Sequence, residues 1–345
     1  MKKMIYKNSI ISGCFFRSTV QKPNLKILLQ ITERCNMSCI HCFNASNCEG
    51  EDIKLNKLKE VIIPKLLKAG VTRVTLTGGE PMLHPEIYEI INIFKEFNIH
   101  ITICTNGLLF DEELIKNIAE LGNTHINVSL DGFSVESHCK FRGIKKENYS
   151  KILNNIVLMG KNRILNGIMC SPNKYSNDNE YIELCKFAKD NNASYVLFNP
   201  LSKFGRGNKT QSYAYTKVNL QNLREKIENA NIENDKFEVV FIRIPKSTVY
   251  KNYACECNYE IPYIFTNGDV AVCPYMIFAT ESETSKYKKE DFLYGNIYDE
   301  MFDLKNEIVN YNKIKKEGAK KRGCIASKIT NGLYIDDYDP EIYEE

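Results

Sequence analysis

From residue 25 onward the chain alternates short apolar runs with longer stretches in which apolar side chains return at i, i+3, i+4 and i+7. The short runs read as buried strands, and the amphipathic stretches read as helices that cover them. Strands are predicted at 26–31, 73–77, 100–104, 126–130, 164–170 and 194–199, with crossover helices at 55–69, 85–97, 111–121, 148–160 and 178–191. Asp111-Glu112-Glu113 and Asp178 place acids where a helix begins, and Gly70 and Gly122 stand where helices end. Such alternation is the sequence form of βα units around a parallel sheet. Six units are too few to close an eight-stranded barrel, so the expected fold is α/β, a splayed partial (β/α)6 barrel with its chemistry where the strands end.

The pattern changes after residue 212. A helix is predicted at 220–230 and a strand at 237–242. The segment Phe265-Thr266-Asn267-Gly268-Asp269-Val270-Ala271-Val272-Cys273 then sets an Asn-Gly turn between aromatic and β-branched residues, a hairpin signal that puts Cys273 just past the start of the second strand. The chain therefore divides into an arm or strand pair at 1–24, the barrel at 25–212, a connecting helix and strand at 213–250, a small α+β region at 251–328 and a tail at 329–345. From Tyr334 that tail has six acids and no base, a composition that is solvated or docks as a strand.

Composition narrows the function classes. In 345 residues, 46 basic side chains face 43 acidic ones for a net charge of +3, so no strong field calls for nucleic acid or an anionic membrane. No stretch approaches the ~18 apolar residues of a membrane span, and the opening MKKMIYKNSII lacks a secretory core and cleavage site. Thirteen cysteines in such a chain point to a reducing, cytoplasmic setting.

Candidate chemistry starts at Cys35-Asn36-Met37-Ser38-Cys39-Ile40-His41-Cys42, directly after the first strand. Free cysteine is normally a scattered core hydrophobe, whereas three thiols in one polar loop converge on zinc or on an iron–sulfur cluster, each of which wants four ligands. A zinc knuckle would draw its fourth ligand from His41 or Cys48. A cubane held by three thiolates instead keeps one iron open. The second strand runs into Gly78-Gly79-Glu80-Pro81, where paired glycines let the backbone approach a ligand closely. The third ends in Cys104-Thr105-Asn106-Gly107 and the fourth in Ser129-Leu130-Asp131-Gly132, both also ordinary turn dipeptides. In His138-Cys139-Lys140-Phe141-Arg142-Gly143 the arginine offers either a bidentate fork for a carboxylate or a surface ion pair.

Together the C-x3-C-x2-C loop and these strand ends resemble the radical SAM enzymes over residues 25 to about 325. The resemblance implies a [4Fe-4S] cluster on Cys35, Cys39 and Cys42, with its open iron chelating S-adenosylmethionine. It further implies Gly78, Gly79 and Glu80 on the methionyl ammonium, Ser129, Asp131 and Asn106 on the ribose and carboxylate face, and Arg142 on the carboxylate. The ends of the fifth and sixth strands, around Met169 and Phe198, would face the adenine. Cys139 departs from the pattern, which usually has aspartate there, and Lys203-Phe204-Gly205-Arg206-Gly207 resembles the Gly-Arg after the last barrel strand. Cys255-Glu256-Cys257, Gly268 to Cys273, Tyr294-Gly295-Asn296-Ile297 and Gly323-Cys324 resemble the SPASM and shortened twitch domains. That likeness implies one auxiliary [4Fe-4S] cluster on Cys255, Cys257, Cys273 and Cys324, since the C-x2-C-x5-C-x3-C run that would continue a full SPASM set is absent. A zinc ribbon is the other reading.

The activity implied is reductive cleavage of S-adenosylmethionine to a 5′-deoxyadenosyl radical that abstracts hydrogen from a substrate. A splayed barrel with a twitch-like domain suits an extended substrate, so a ribosomally made precursor peptide and a thioether or carbon–carbon crosslink lead. The 24 residues ahead of the barrel are too few for a winged-helix recognition domain, which implies a separate leader-recognition protein or direct docking of the leader on a sheet edge, and reduction implies a donor such as flavodoxin or ferredoxin. A peptide epimerase would need a hydrogen-donating thiol facing the lumen, for which Cys139 and Cys170 lie nearest the strand ends. The other thiols outside the two groups, Cys104 among them, read as packing. A small-molecule dehydrogenase or cyclase stays open, although a Glu-Glu terminus without Gly-Gly speaks against a molybdopterin cyclase and the missing cysteine run against a sulfatase-activating enzyme. A non-catalytic iron–sulfur carrier would make no use of Gly78 to Glu80. No residue stands out as a general base.

Overall fold

Alternation within the first strand sets the plan of the molecule. In β1 (Leu25–Thr32) the fully buried Ile27, Leu29 and Ile31 alternate with the equally buried Lys26, Gln30 and Thr32. Successive strand residues point to opposite faces, so one face packs on helices and the other forms a polar interior. The same division holds in β2 (Val71–Gly78), β3 (His100–Thr105) and β4 (Thr124–Ser129), where Thr75, Thr77, Thr102 and Asn127 are buried polar residues among buried aliphatics. β5 (Leu165–Cys170) and β6 (Tyr195–Phe198) continue the parallel order.

The computed structural model describes residues 20, 23–242, 261–316 and 324–335. Cys14, Cys255 and Cys257 lie outside these residues, as do most of the expected N-terminal arm and the acidic end of the tail.

Helices Ile87–Glu96, Glu112–Leu121, Lys146–Lys161 and Asp178–Asp190 cross between the strands. Asp111 caps its helix by accepting from the Leu114 N–H, and Gly122 ends it at a left-handed φ of 74°. One helix was not expected, Val135–Arg142, because its sequence VESHCKFR carries no apolar face. It is fixed instead by a capping box between Ser134 and Ser137.

The sheet is larger than six strands. The connecting segment forms a seventh βα unit: helix Lys217–Asn229 leads into β7 (Glu238–Phe241), which pairs parallel with β6 through Val196↔Val239 and Leu197↔Val240. The expected hairpin forms as β8 (Tyr263–Ile264) and β9 (Asp269–Ala271), and β8 lies parallel against the outer edge of β1. β10 (Leu293–Asn296) completes one ten-stranded sheet among the described residues, in the order β10-β9-β8-β1-β2-β3-β4-β5-β6-β7. Covering the β1 edge satisfies main-chain groups that would otherwise stay open. It also brings the C-terminal region to the strand ends.

Candidate functional site

The three-cysteine loop leaves β1 and is pinned by other strand ends. Gly79 N–H donates to Thr32 O at 3.0 Å and Glu80 N–H to Arg34 O at 2.8 Å, so the turn after β2 lies against the backbone that leads into Cys35. The glycines also make room for the chain's own backbone: a Cβ on Gly78 would stand 2.1 Å from Thr32 O, and one on Gly79 2.2 Å from Arg34 O. Arg34 itself is held by Asp52, through Nε to Oδ1 at 3.1 Å and Nη2 to Oδ2 at 2.5 Å. From the far side Arg206 clamps the loop, its Nε donating to Cys39 O at 2.8 Å and its Nη1 to Ser46 O at 2.9 Å. Gly205 is required beside it, since a Cβ there would meet Phe43 O at 2.3 Å.

Behind this loop opens a cavity of about 950 Å³ of empty space, part of it continuous with solvent. Cys35, Cys39 and Cys42 line it, together with Gly78, Gly79, Glu80, Asn106, Ser129, Asp131 and Arg142. These ten residues marked from the sequence for metal or cofactor thus share one space, and Met169 joins them, whereas Phe198, expected near the adenine, is fully buried and does not line it. Glu80 is fully buried and accepts from Thr105 Oγ1 at 2.6 Å, Asn106 N–H at 2.7 Å and Met82 N–H at 3.1 Å. Asn106 in turn donates Nδ2 to Asn36 Oδ1 at 2.8 Å and accepts from the Leu108 N–H, so its amide braces the cysteine loop.

A charged knot supports the opposite wall. Arg142 donates Nε to Asp131 Oδ2 at 2.6 Å, His41 Nε2 lies 3.3 Å from the same oxygen, and Ser171 N–H donates to Oδ1 at 2.7 Å. Burial alone would raise the Asp131 carboxyl, but the Arg142, His41 and His138 charges and the Ser171 bond outweigh it and hold the group below its usual range. His138 accepts the Asp131 N–H on Nδ1 and is pushed down to about 3, first by burial and then by Arg142. His41 stacks on Phe141 with centroids 4.1 Å apart and is pushed down to about 4, chiefly by burial.

Does this loop fit an iron–sulfur cluster? The donors are soft thiolates, the ligand type such clusters use. Burial pushes the Cys35 thiol up to about 12, with Glu80 and the other two thiols adding to the rise, and Cys39 is raised by burial against the opposing pull of Arg142 and Arg206. Thiolates here need positive charge, which bound iron supplies. Arg206 Nη2 and His41 Nδ1 are buried without a hydrogen-bond partner among the described residues, two polar atoms left over beside the loop. Among the described residues no three His, Cys, Asp or Glu side chains close around a single ion point. Cys35, Cys39 and Cys42 all line the one cavity. The residues present fit the group.

The second cysteine group is only partly described. Cys273 stands at the N-terminal boundary of helix Pro274–Thr280, past the hairpin instead of within its second strand, because Pro274 starts a helix there. Cys324 takes the same position on helix Ile325–Thr330, and the two helices pack together. Cys255 and Cys257 lie outside the described residues.

Several residues were not foreseen. Tyr275, on the helix after Cys273, lines the barrel cavity and accepts from Asn199 Nδ2 at 2.9 Å. It meets Phe43 edge-on at 5.1 Å. The Cys139 expectation needs correcting: it sits on the surface side of its helix, donates Sγ to Lys145 O at 3.6 Å, and is absent from the cavity wall. Cys170 reaches the wall but is 2% exposed, with Cys185 behind it. Cys104 also lines the wall and is half-buried, as Cys35 and Cys42 are, a position its alternation with His100 and Thr102 on one strand face made readable.

Residues 29–188 match the sequence model of the Radical SAM superfamily. Among curated proteins, Fe-coproporphyrin III synthase of Methanosarcina barkeri (strain Fusaro / DSM 804) is 33% identical over 120 residues, 34% of this chain and 30% of that protein. The sporulation killing factor maturation protein SkfB of Bacillus subtilis (strain 168) is 23% identical over 249 residues, 71% of this chain and 59% of that protein. The chain thus spans less than two thirds of the length of either relative. Among solved structures, Streptococcus suis SuiB bound to precursor peptide SuiA superposes with a TM-score of 0.68 at 19% identity, covering 91% of this chain and 75% of that one. Native anSMEcpe with bound AdoMet and Cp18Cys peptide gives 0.65 at 18%, covering 92% and 93%. At these identities the structural likeness speaks for the fold.

Proposed function

Because residues 29–188 of this chain are a radical SAM domain, we propose that the protein is an S-adenosylmethionine-dependent maturase of a ribosomally made peptide. The observation that carries the reading is the shared cavity, in which the three-thiol loop, the Gly78 to Glu80 edge and Tyr275 of the C-terminal region meet. The peptide substrate class is supported by a relative named as a maturation protein and by a similar fold solved with a precursor peptide.

In this account Cys35, Cys39 and Cys42 hold a [4Fe-4S] cluster, which with S-adenosylmethionine supplies a 5′-deoxyadenosyl radical able to abstract hydrogen. Gly78, Gly79 and Glu80 receive the methionyl ammonium, Arg142 its carboxylate, and Ser129, Asp131 and Asn106 the neighbouring polar face. Arg142 and Arg206 balance the negative charge of the thiolates. Cys255, Cys257, Cys273 and Cys324 hold an auxiliary [4Fe-4S] cluster. The peptide loses two hydrogens as a thioether or carbon–carbon crosslink forms. A separate leader-recognition protein and an electron donor of the flavodoxin or ferredoxin kind complete the system.

A second reading, epimerisation of a peptide residue, is favoured by the half-exposed Cys104 on the cavity wall. Anaerobically reconstituted protein, S-adenosylmethionine, dithionite and a candidate ribosomally made precursor peptide make the test. Crosslinking predicts 5′-deoxyadenosine and a peptide lighter by two hydrogens; epimerisation predicts 5′-deoxyadenosine and a peptide of unchanged mass. No 5′-deoxyadenosine overturns both.

A further inference from the structure

A second cavity opens beyond the three-thiol loop, with about 890 Å³ of empty space continuous with solvent. The chain leaving Cys42 lines it through Asn44, Ser46 and Asn47, and the hairpin of β8 and β9 and helix Pro274–Thr280 contribute the facing residues. Asn44 lines this cavity and the barrel cavity alike, and the ring of Phe278 on its wall lies 5.6 Å from that of Phe43 on the wall of the other. The two spaces are neighbours.

The lining of this cavity divides by chemistry. Phe265, Ile277, Phe278 and Leu293 are apolar, while Glu33, Glu49, Asp269 and Glu281 set carboxylates against a single cation, Lys289. Lys289 lies 3.8 Å from Asp269, and among the described residues Glu33, Glu49 and Glu281 have no ion pair. Glu33 is held by neutral donors, Thr266 Oγ1 at 2.7 Å and the Glu51 N–H at 3.2 Å, which leave its charge uncompensated. Burial pushes the Glu281 carboxyl up, a rise that a cation seated beside it would reverse. Gln30 adds a directional group. It lines the same cavity at 2% exposure, its Oε1 accepts the Thr266 N–H at 3.4 Å, and its Nε2 donates to no group among the described residues. A buried amide N–H without an acceptor is costly, and the cavity is the route by which an acceptor from outside the chain reaches it.

A metal ion does not suit this lining. Among the described residues no three acidic side chains converge on one ion point, and an amide N–H repels a cation. A peptide segment carrying lysine or arginine suits it at each place: a main-chain carbonyl accepts from Gln30, the apolar wall covers the aliphatic stem, and the charged head meets the carboxylates.

We propose that this second cavity is a docking subsite for a basic side chain of the peptide substrate, with a main-chain carbonyl of that peptide on Gln30 and the cationic head on Glu49 and Glu281. Because Asn44 belongs to both cavities, a basic residue held here sets which neighbouring residue of the same peptide enters the barrel. The proposal rests on the peptide reading of the barrel cavity and deepens it.

The test uses the full chain, reconstituted anaerobically, and two fluorescein-labelled hexapeptides, one of alternating alanine and arginine and one of alternating alanine and glutamate, read by fluorescence anisotropy. Wild-type protein is expected to bind the arginine peptide, with an affinity that falls as salt rises, and to leave the glutamate peptide free. Glu49→Gln/Glu281→Gln protein is expected to bind the arginine peptide about fivefold more weakly, the worth of two exposed ion pairs. Glu89→Gln/Glu113→Gln protein, altered in the first turns of two barrel helices, is expected to bind it as wild type does. Iron content and release of 5′-deoxyadenosine from S-adenosylmethionine alone should be the same in all three. Equal affinity in wild type and Glu49→Gln/Glu281→Gln, or no preference for arginine over glutamate, overturns the proposal and leaves the peptide reading standing. Wild-type protein that binds the arginine peptide but leaves candidate precursor peptides unmodified overturns the peptide reading, and the substrate role of this cavity with it.

Discussion

Arg206 donates Nε to the main-chain oxygen of Cys39 at 2.8 Å, a bond between residues 167 positions apart that ties the last barrel segment to the first cysteine loop. Its Nη1 reaches Ser46 O as well, so a single guanidinium spans the loop. Lysine offers a point charge without that planar fork. Arg206→Lys is therefore expected to keep the fold but retain less iron after anaerobic reconstitution, measured as iron per chain. Iron content equal to wild type would show that the clamp is dispensable.

The second prediction concerns the turn after β2. A Cβ on Gly79 would sit 2.2 Å from Arg34 O and 2.6 Å from Glu33 O, both main-chain atoms that cannot swing away. Overpacking of this kind costs about 1–3 kcal/mol, and the backbone that must shift is the one entering Cys35. Gly79→Ala should lower the thermal midpoint and the iron content together.

Glu80 offers a third. Its two oxygens accept from Thr105, Met82 and Asn106, and it is 1% exposed. In Glu80→Gln one oxygen becomes an NH2 group facing donors, leaving a buried polar group unsatisfied at a cost of about 1–3 kcal/mol. Because Asn106 also braces Asn36, the loss should appear as weaker S-adenosylmethionine binding by titration calorimetry in addition to lower stability.

The fourth prediction is a pH dependence. His138 is pushed down from 6.5 to about 3, by burial first and Arg142 second, so the unfolded chain binds a proton that the folded one refuses. Stability from this group is complete above pH 6.5 and is lost as pH falls toward 3, by about 2 kcal/mol at pH 5. His41, pushed down to about 4, acts in the same direction. The urea midpoint should fall between pH 7 and pH 5, and fall less in His138→Gln.

Strand and helix positions in the barrel were readable because burial writes itself into periodicity: the strand expected at 100–104 is His100–Thr105, and the helix expected at 178–191 is Asp178–Asp190. Helix Val135–Arg142 was not, since it is held by Ser134 and Ser137 and by the Arg142 to Asp131 pair, none of which leaves an apolar stripe. The pairing of β8 with β1 joins residues more than 230 positions apart through two residues, too short a signal to read. At the site, residue types pointed to positions that share one cavity, but not to the contacts they make: the glycines after β2 admit the chain's own backbone, and Asn106 grips Asn36. Tyr275 entered the cavity through a helix whose position depends on that same long-range pairing.

The central claim is that Cys35, Cys39 and Cys42 hold iron whose open site uses S-adenosylmethionine. Its most direct test is release of 5′-deoxyadenosine from S-adenosylmethionine under dithionite, compared between wild-type protein and Cys39→Ala, both reconstituted anaerobically with iron and sulfide and assayed for bound metal. The account predicts iron and 5′-deoxyadenosine in the wild type and loss of the product in Cys39→Ala. Zinc in place of iron, or equal product from the variant, would contradict it.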